Sequence, residues 1–279
     1  MPNQFAPLTQ PLRDLAAWSA HFRAADIPVL ARTAEALESL RAVEDDVDAN
    51  RIGEMIAADP LMTLKVLAYA ATHRSSRVVT DAETVIAALV MMGISPFFRA
   101  FGPQPTIEEH LAEVPEALDG LQEVIRRAHR GANFALGFAV HRMDHDAAVI
   151  HEAALLHDFA EMLLWCHAPA LALRIRDAQR ADATLRSSAV QLATLNVELA
   201  DLQQSLMRGW RLPELLIRIS DDKHAEQAPV RNVLLAVRLA RHTAQGWGNA
   251  ALPDDLRDIA GLLNLSVDAT WQMVQEIEH

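Results

Sequence analysis

Residues 152–165 read EAALLHDFAEMLLW, and their spacing predicts one apolar helix over about 147–166 that carries a histidine and an aspartate, His157 and Asp158, in its middle. Leu155, Leu156, Phe159, Met162 and Leu163 crowd the pair on both sides. At least one of the two polar groups must therefore approach the core, where it is costly without a partner. Two explanations meet that demand. Either the pair ligates a metal, or it forms a hydrogen-bonded network that pins neighbouring helices.

The same helical grammar extends outward in both directions. Alanine, leucine, arginine and glutamate fill the chain, and only 10 glycines interrupt its 279 residues. The fold class is all-α, read as a two-lobed multi-helix bundle. Leu12, Leu15, Trp18 and Phe22 give a helix at about 8–24 one apolar stripe, which must dock on the same chain or on a second copy. A helix at about 29–43 runs into the acidic VEDDVDAN, a loop or a solvated helix end. In RIGEMIAADPLMTLKVLAYAATH (51–73), Asp59 suits an N-cap and Pro60 the first turn that follows, which predicts a tight corner between two helices. A helix over about 82–92 ends at Gly93, and Pro96, Pro103 and Pro105 mark a break, with 103–115 read as a crossing between two lobes. Further helices are expected at about 121–141, 147–166, 169–180, 188–208, 213–223, 229–245, 253–262 and 266–278. In GWRLPELL, Gly209 is placed to close one helix and Leu212-Pro213 to open the next.

Composition narrows the function. A net charge of −12 disfavours a general nucleic-acid binder, and 5% aromatic residues leave few stacking platforms for single strands. The arginines of VIRRAHR read as a solvated face, and Lys65 is the one cation on the helix after Asp59-Pro60. No apolar run is long enough to span a membrane. With 51% hydrophobic residues, one cysteine and no export signal at its start, the chain reads as a cytoplasmic protein with a large core and no disulfide. Cys166, beside Trp165 on the apolar helix, is expected to be a buried thiol and not a nucleophile.

The histidines need separate weighing. His129, His141, His145, His151, His157 and His167 are half of the chain's 12. His141 and His145 have ligand spacing, but they fall where one helix ends and another is capped, which suits solvated residues. His151 and His157 are six apart and point in different directions on one helix. His129, on a helix with Phe134, Ala135 and Phe138 as its packing face, is the natural partner of the His157-Asp158 doublet. With a later aspartate these three would make a divalent-metal centre that activates water against a phosphoester.

The helix with His129, then LLHDFAEMLLW, then GWRLPELL resembles the HD superfamily in its order of blocks. IGEMIAADPLMTLKVLAYA and TVIAALVMMGISPFFRAF narrow the resemblance to the HDOD family. Asp59, Pro60, Thr63, Lys65 and Leu67 match that family's DPxLTxKLLxLAN pattern, and Met92-Gly93 matches its LG block. The resemblance covers about residue 26 to the C-terminus, including GLLNLSVDATWQMVQEI. It implies an N-terminal helical extension over 1–25 and an HDOD domain over 26–279, with an N-terminal lobe at 26–105 and an HD-like helical lobe at 121–279. It also implies a regulatory or signal-transduction module of bacterial type whose metal site is degenerate. His129, His157 and Asp158 are the candidates for that site, with no catalytic residue, no cofactor and no metal expected.

The departures from the pattern point the same way. Glu161 stands where HD proteins often carry a basic residue, Asn196 and Glu198 where relatives often show a histidine, and Lys223-His224 where a histidine pair is usual. The expected partners are other signalling proteins or a small signal molecule, with a homodimer as a further option. The alternative is a metal-dependent phosphohydrolase acting on a nucleotide or cyclic dinucleotide. There a divalent metal would be held by His129, His157 and Asp158, with Asp201, Asp221 or Asp222 completing the shell.

Overall fold

The computed structural model describes residues 7–73, 82–182 and 184–278; residues 1–6 of the expected N-terminal extension lie outside them. The described residues are helical almost throughout: α1 (Leu15–Ala24), α2 (Ala31–Arg41), α3 (Ala49–Ala57), α4 (Pro60–Thr72), α5 (Val85–Met92), α6 (Ile94–Ala100), α7 (Ile107–His110), α8 (Pro115–His141) and α9 (Ala147–Leu155). There follow α10 (Phe159–His167), α11 (Pro169–Ala181), α12 (Ser187–Leu195), α13 (Leu199–Gly209), α14 (Glu214–Ile219), α15 (Ala228–His242), α16 (Leu252–Leu263) and α17 (Val267–Glu278). An isolated parallel bridge, Val29 to Thr106, is the extent of β pairing among them. The helices pack into two compact units, each built from two stretches of chain: 1–124 with 158–212, and 125–157 with 213–279.

In the first unit α1 begins at Leu15, later than its apolar stripe suggests. Asp14 caps it, its carboxylate accepting the Ala17 N–H at 2.9 Å, and Pro7 and Pro11 precede it. Its stripe docks on the same chain. Trp18 and Phe22 are buried, Trp18 Nε1 donates to the Leu195 carbonyl at 2.8 Å, and the Ser19 and Ser205 hydroxyls meet at 2.7 Å. α1 lies against α13, so close that a Cβ on Gly209 would stand 2.9 Å from Arg23 Cδ. Gly209 is thus the last residue of α13, required for close approach, while the left-handed turn beyond it falls to Arg211 (φ 58°).

The residues that match the family pattern form a clasp. Asp59 is fully buried at the α3–α4 corner, and its carboxylate accepts backbone N–H groups from Leu61 (3.0 Å) and Met62 (3.1 Å) at the start of α4. It also accepts the Leu30 N–H (2.8 Å) and a hydrogen bond from the Thr33 side chain, which ties the start of α2 to the same point. Thr63 Oγ1 donates back to the Ile56 carbonyl at 3.1 Å, closing the corner. Lys65 reaches the Ile27 carbonyl and Asp26 Oδ1, both at 2.8 Å, so the cation of α4 is committed inside the fold. Gly93 takes φ +83° between α5 and α6, a conformation that residues with a Cβ rarely adopt.

Two expected helices are broken. The stretch 188–208 divides at Asn196, which takes a left-handed conformation (φ 64°), anchors its Nδ2 on the Leu12 carbonyl at 3.0 Å and lets Val197 turn inward. The stretch 147–166 divides at the histidine–aspartate doublet itself. α9 ends at Leu155, Leu156 (φ −92°, ψ 0°) and Asp158 (φ −109°, ψ 20°) leave helical geometry, and α10 starts at Phe159. Apolar periodicity runs straight through this turn because both short helices bury their faces: Leu155, Leu156, Phe159, Met162 and Leu163 are all buried.

The second unit packs α15 on α9 and α16. Phe134, Ala135 and Phe138 form the buried face of the latter part of α8, and buried Asn232 on α15 donates to the Ala135 carbonyl at 3.1 Å. Asp255, almost fully buried, forms an ion pair with Arg238 (Nε to Oδ1 2.7 Å) and pairs with His242 Nδ1 at 2.6 Å. Arg130 holds Glu278 through two nitrogens at 2.7 and 2.9 Å, which pins the end of α17 to α8.

Candidate functional site

Because the doublet sits in a turn, its two side chains need not share one helix face. His157 is the last residue of a segment of the second unit, and Asp158 opens the segment that returns to the first. His157 is 10% exposed, and its Nε2 lies 3.1 Å from Asp222 Oδ1. Asp222 is carried by a short 3-10 turn, Asp222–His224, which follows α14 and is capped by the Asp221 carboxylate accepting the Lys223 N–H at 3.2 Å. This turn packs on α15. Asp222, one of the three aspartates expected to complete a ligand shell, thus meets a site histidine directly.

His129 sits on α8 with its Nε2 buried. Across from it on α9 is His151, whose pKa is lowered first by burial and then by the nearby His129, so His151 is kept neutral. Reasoning from sequence separated His151 from the site because it assumed an unbroken helix. Once α9 ends at Leu155, a spacing of six no longer fixes the relative direction of His151 and His157. No local motif marks this proximity, which joins residues of α8 and α9. Asp158 is buried at 7% exposure, and its backbone carbonyl accepts the Met162 N–H at 3.1 Å at the first turn of α10. His129, His157 and Asp158 are all engaged by further neighbours.

Among the described residues, no three histidine, cysteine, aspartate or glutamate side chains are grouped so as to hold a metal ion. In the second unit His157 meets Asp222, and His129 lies near enough to His151 to act on its charge. A divalent centre needs several donors converging on one point, and this arrangement does not fit one. Lys223 and His224 occupy the same exposed turn as Asp222. Glu161 lies in the first turn of α10, where an acidic side chain suits the helix dipole. His141 and His145 are exposed. Cys166 is fully buried, and burial pushes its thiol far above the ordinary value, which suppresses the thiolate. No described helix is long and apolar enough to cross a membrane.

The HDOD domain family matches residues 27–226. Two solved structures share the fold. One is the MmoQ response regulator from Methylococcus capsulatus, 20% identical, covering 85% of this chain and 98% of that one, with a TM-score of 0.61. The other is a virulence factor from Campylobacter jejuni, 15% identical, covering 94% of this chain and 92% of that one, with a TM-score of 0.62. No curated protein matches the chain.

Proposed function

The chain belongs to the HDOD domain family, and from that premise we propose that it is a non-catalytic regulatory module, acting by binding a partner protein or a small signal molecule. The observation that carries this reading is the fate of the doublet. His157 is hydrogen-bonded to Asp222, Asp158 is buried at the start of α10, and His151 is held neutral by burial and by His129. A hydrolase of the HD type would need these groups to present open ligand positions to one ion and its water. Here the groups act as a polar clasp at a helix break. The family pattern supports the same conclusion, since Asp59, Thr63, Lys65 and Gly93 are each accounted for by caps, corner bonds and turns. The name of the MmoQ neighbour, a response regulator, agrees with a signalling role.

Calorimetric titration of the purified protein with manganese, iron(II) and magnesium, alongside elemental analysis, tests this reading. It expects no tightly held metal. The double substitution His157→Ala, Asp158→Ala should lower stability by about 1–3 kcal/mol, the cost of losing buried polar contacts. About one equivalent of metal, lost in His129→Ala, would overturn the proposal in favour of a metal-dependent phosphohydrolase.

A further inference from the structure

Three histidines that play no part in the doublet converge within the first unit. His21 of α1, His110 of α7 and His167 at the end of α10 bring their rings together: the His167 ring centre lies 5.5 Å from that of His110, 6.2 Å from His21 and 5.9 Å from Phe22. The surrounding backbone is fastened at the same place. His110 Nε2 donates to the Cys166 carbonyl at 2.9 Å, and the Leu8 N–H donates to the His167 carbonyl at 2.8 Å. His167 is buried at 6% exposure. One of its nitrogens donates to the Asp26 carbonyl, and because Nε2 is buried without a hydrogen-bond partner, the donor is Nδ1.

That assignment determines what acid does. A proton added to His167 must go to Nε2, where no acceptor meets it, beside two other imidazoles. The charges that act on the ring are His110, His21 and Asp26. The Asp26 carboxylate, its available counter-charge, is already held by Lys65 at 2.8 Å. Besides α1 and α7, α4, α11 and α13 pack on α10. The last three carry Lys65 and Tyr69, with Asp59 capping α4; Arg174, Arg176, Asp177 and Arg180; and Asp201 and Arg208. Of these, Arg174 bonds the Thr9 carbonyl and Arg176 covers the Trp165 ring.

We propose that His21, His110 and His167 form an acid-released latch, which holds α1 and the segment leading into it against the end of α10 while the His167 ring is neutral. The titration has the matching sign. Burial first, then His110 and His21, lower His167 from 6.5 to about 4, and burial lowers His21 as well. A histidine with a depressed folded pKa favours the closed state above its unfolded value, and that advantage is lost as pH falls from about 6.5 towards about 4. At pH 5 the closed-to-open ratio set by His167 alone is about 30-fold below its value at pH 7.5.

Amide hydrogen exchange of the full chain at pH 7.5 and 5.0, corrected for intrinsic rates, tests the latch. The Leu8 amide and those of α1 should lose about 30-fold more protection than those of α3 and α4. His167→Asn, which keeps a donor near the Nδ1 position and cannot titrate, should abolish that difference. Equal loss across the unit, or the same response in the variant, would overturn the proposal. Imidazole nitrogen spectra of the unmodified protein give a second readout, whether or not the variant folds. A neutral His167 protonated on Nδ1 and titrating below pH 5 is expected, and a His167 that titrates at pH 6 or above would overturn the latch.

Discussion

Replacing Asp59 with alanine removes four hydrogen bonds from one carboxylate, and the consequence can be worked out group by group. The Leu61 and Met62 N–H groups are unpaired donors of the first turn of α4, and losing their cap costs about 1 kcal/mol. The Leu30 N–H belongs to a different segment and is buried with Asp59 as its acceptor, so leaving it bare adds about 1–3 kcal/mol. The expected loss is therefore about 2–4 kcal/mol, read as a shift of the urea midpoint at unchanged slope, followed by far-ultraviolet circular dichroism. Asparagine separates the two contributions. Its amide oxygen can still accept from Leu61 and Met62, but its NH2 group then faces the Leu30 N–H. Asp59→Asn should recover about 1 kcal/mol of the loss and no more. Burial pushes the Asp59 carboxyl above the usual carboxylate range, and the four bonds oppose that push without cancelling it. An Asp59→Ala protein within about 0.5 kcal/mol of the parent would refute the clasp, because ordinary surface changes fall in that range. So would an Asp59→Asn protein as stable as the parent.

Other consequences follow from close contacts and burial. A Cβ at Gly120 would stand 2.5 Å from Trp165 Cη2 and 2.7 Å from Cζ2, against a rigid buried ring, so Gly120→Ala should cost about 1–3 kcal/mol in thermal unfolding. Gly102→Ala meets nothing within 4 Å and should stay within about 0.5 kcal/mol; equal effects at the two sites would refute the packing argument. The Cys166 thiol should resist iodoacetamide at pH 8 in the folded protein and react fully in urea, since burial both shields it and raises its pKa. Alkylation at equal rates in the two conditions would mean that α10 opens readily.

How much of this was visible in the amino-acid order varies with the physics involved. Asp59-Pro60 declared its corner because capping depends on a few adjacent residues, and the α4 N-terminus lies where those residues put it. Gly93 declared its turn for the same local reason. The doublet misled, because Leu155 to Leu163 keep helical spacing across a break that side-chain periodicity does not record. At the candidate site, the helix break means that a spacing of six does not fix how His151 and His157 are directed, and the contact of His157 with Asp222 depends on a 3-10 turn that has no strong signature.

By itself, then, the order of residues determined the all-α class, the caps and corners, the buried character of Trp18, Phe22 and Cys166, and the family to which the chain belongs. These rest on propensity, apolar spacing and short-range hydrogen bonding, which act within a few turns of helix. Tertiary structure alone decided that 158–212 packs with the first 124 residues, that His157 meets Asp222 and that His21, His110 and His167 share one place. The side-chain pairings of His157 with Asp222 and of His167 with His21 and His110 join residues 57 to 146 positions apart. At such separations it is the competition among helix faces for burial that chooses the partner, and no short window of sequence contains that competition.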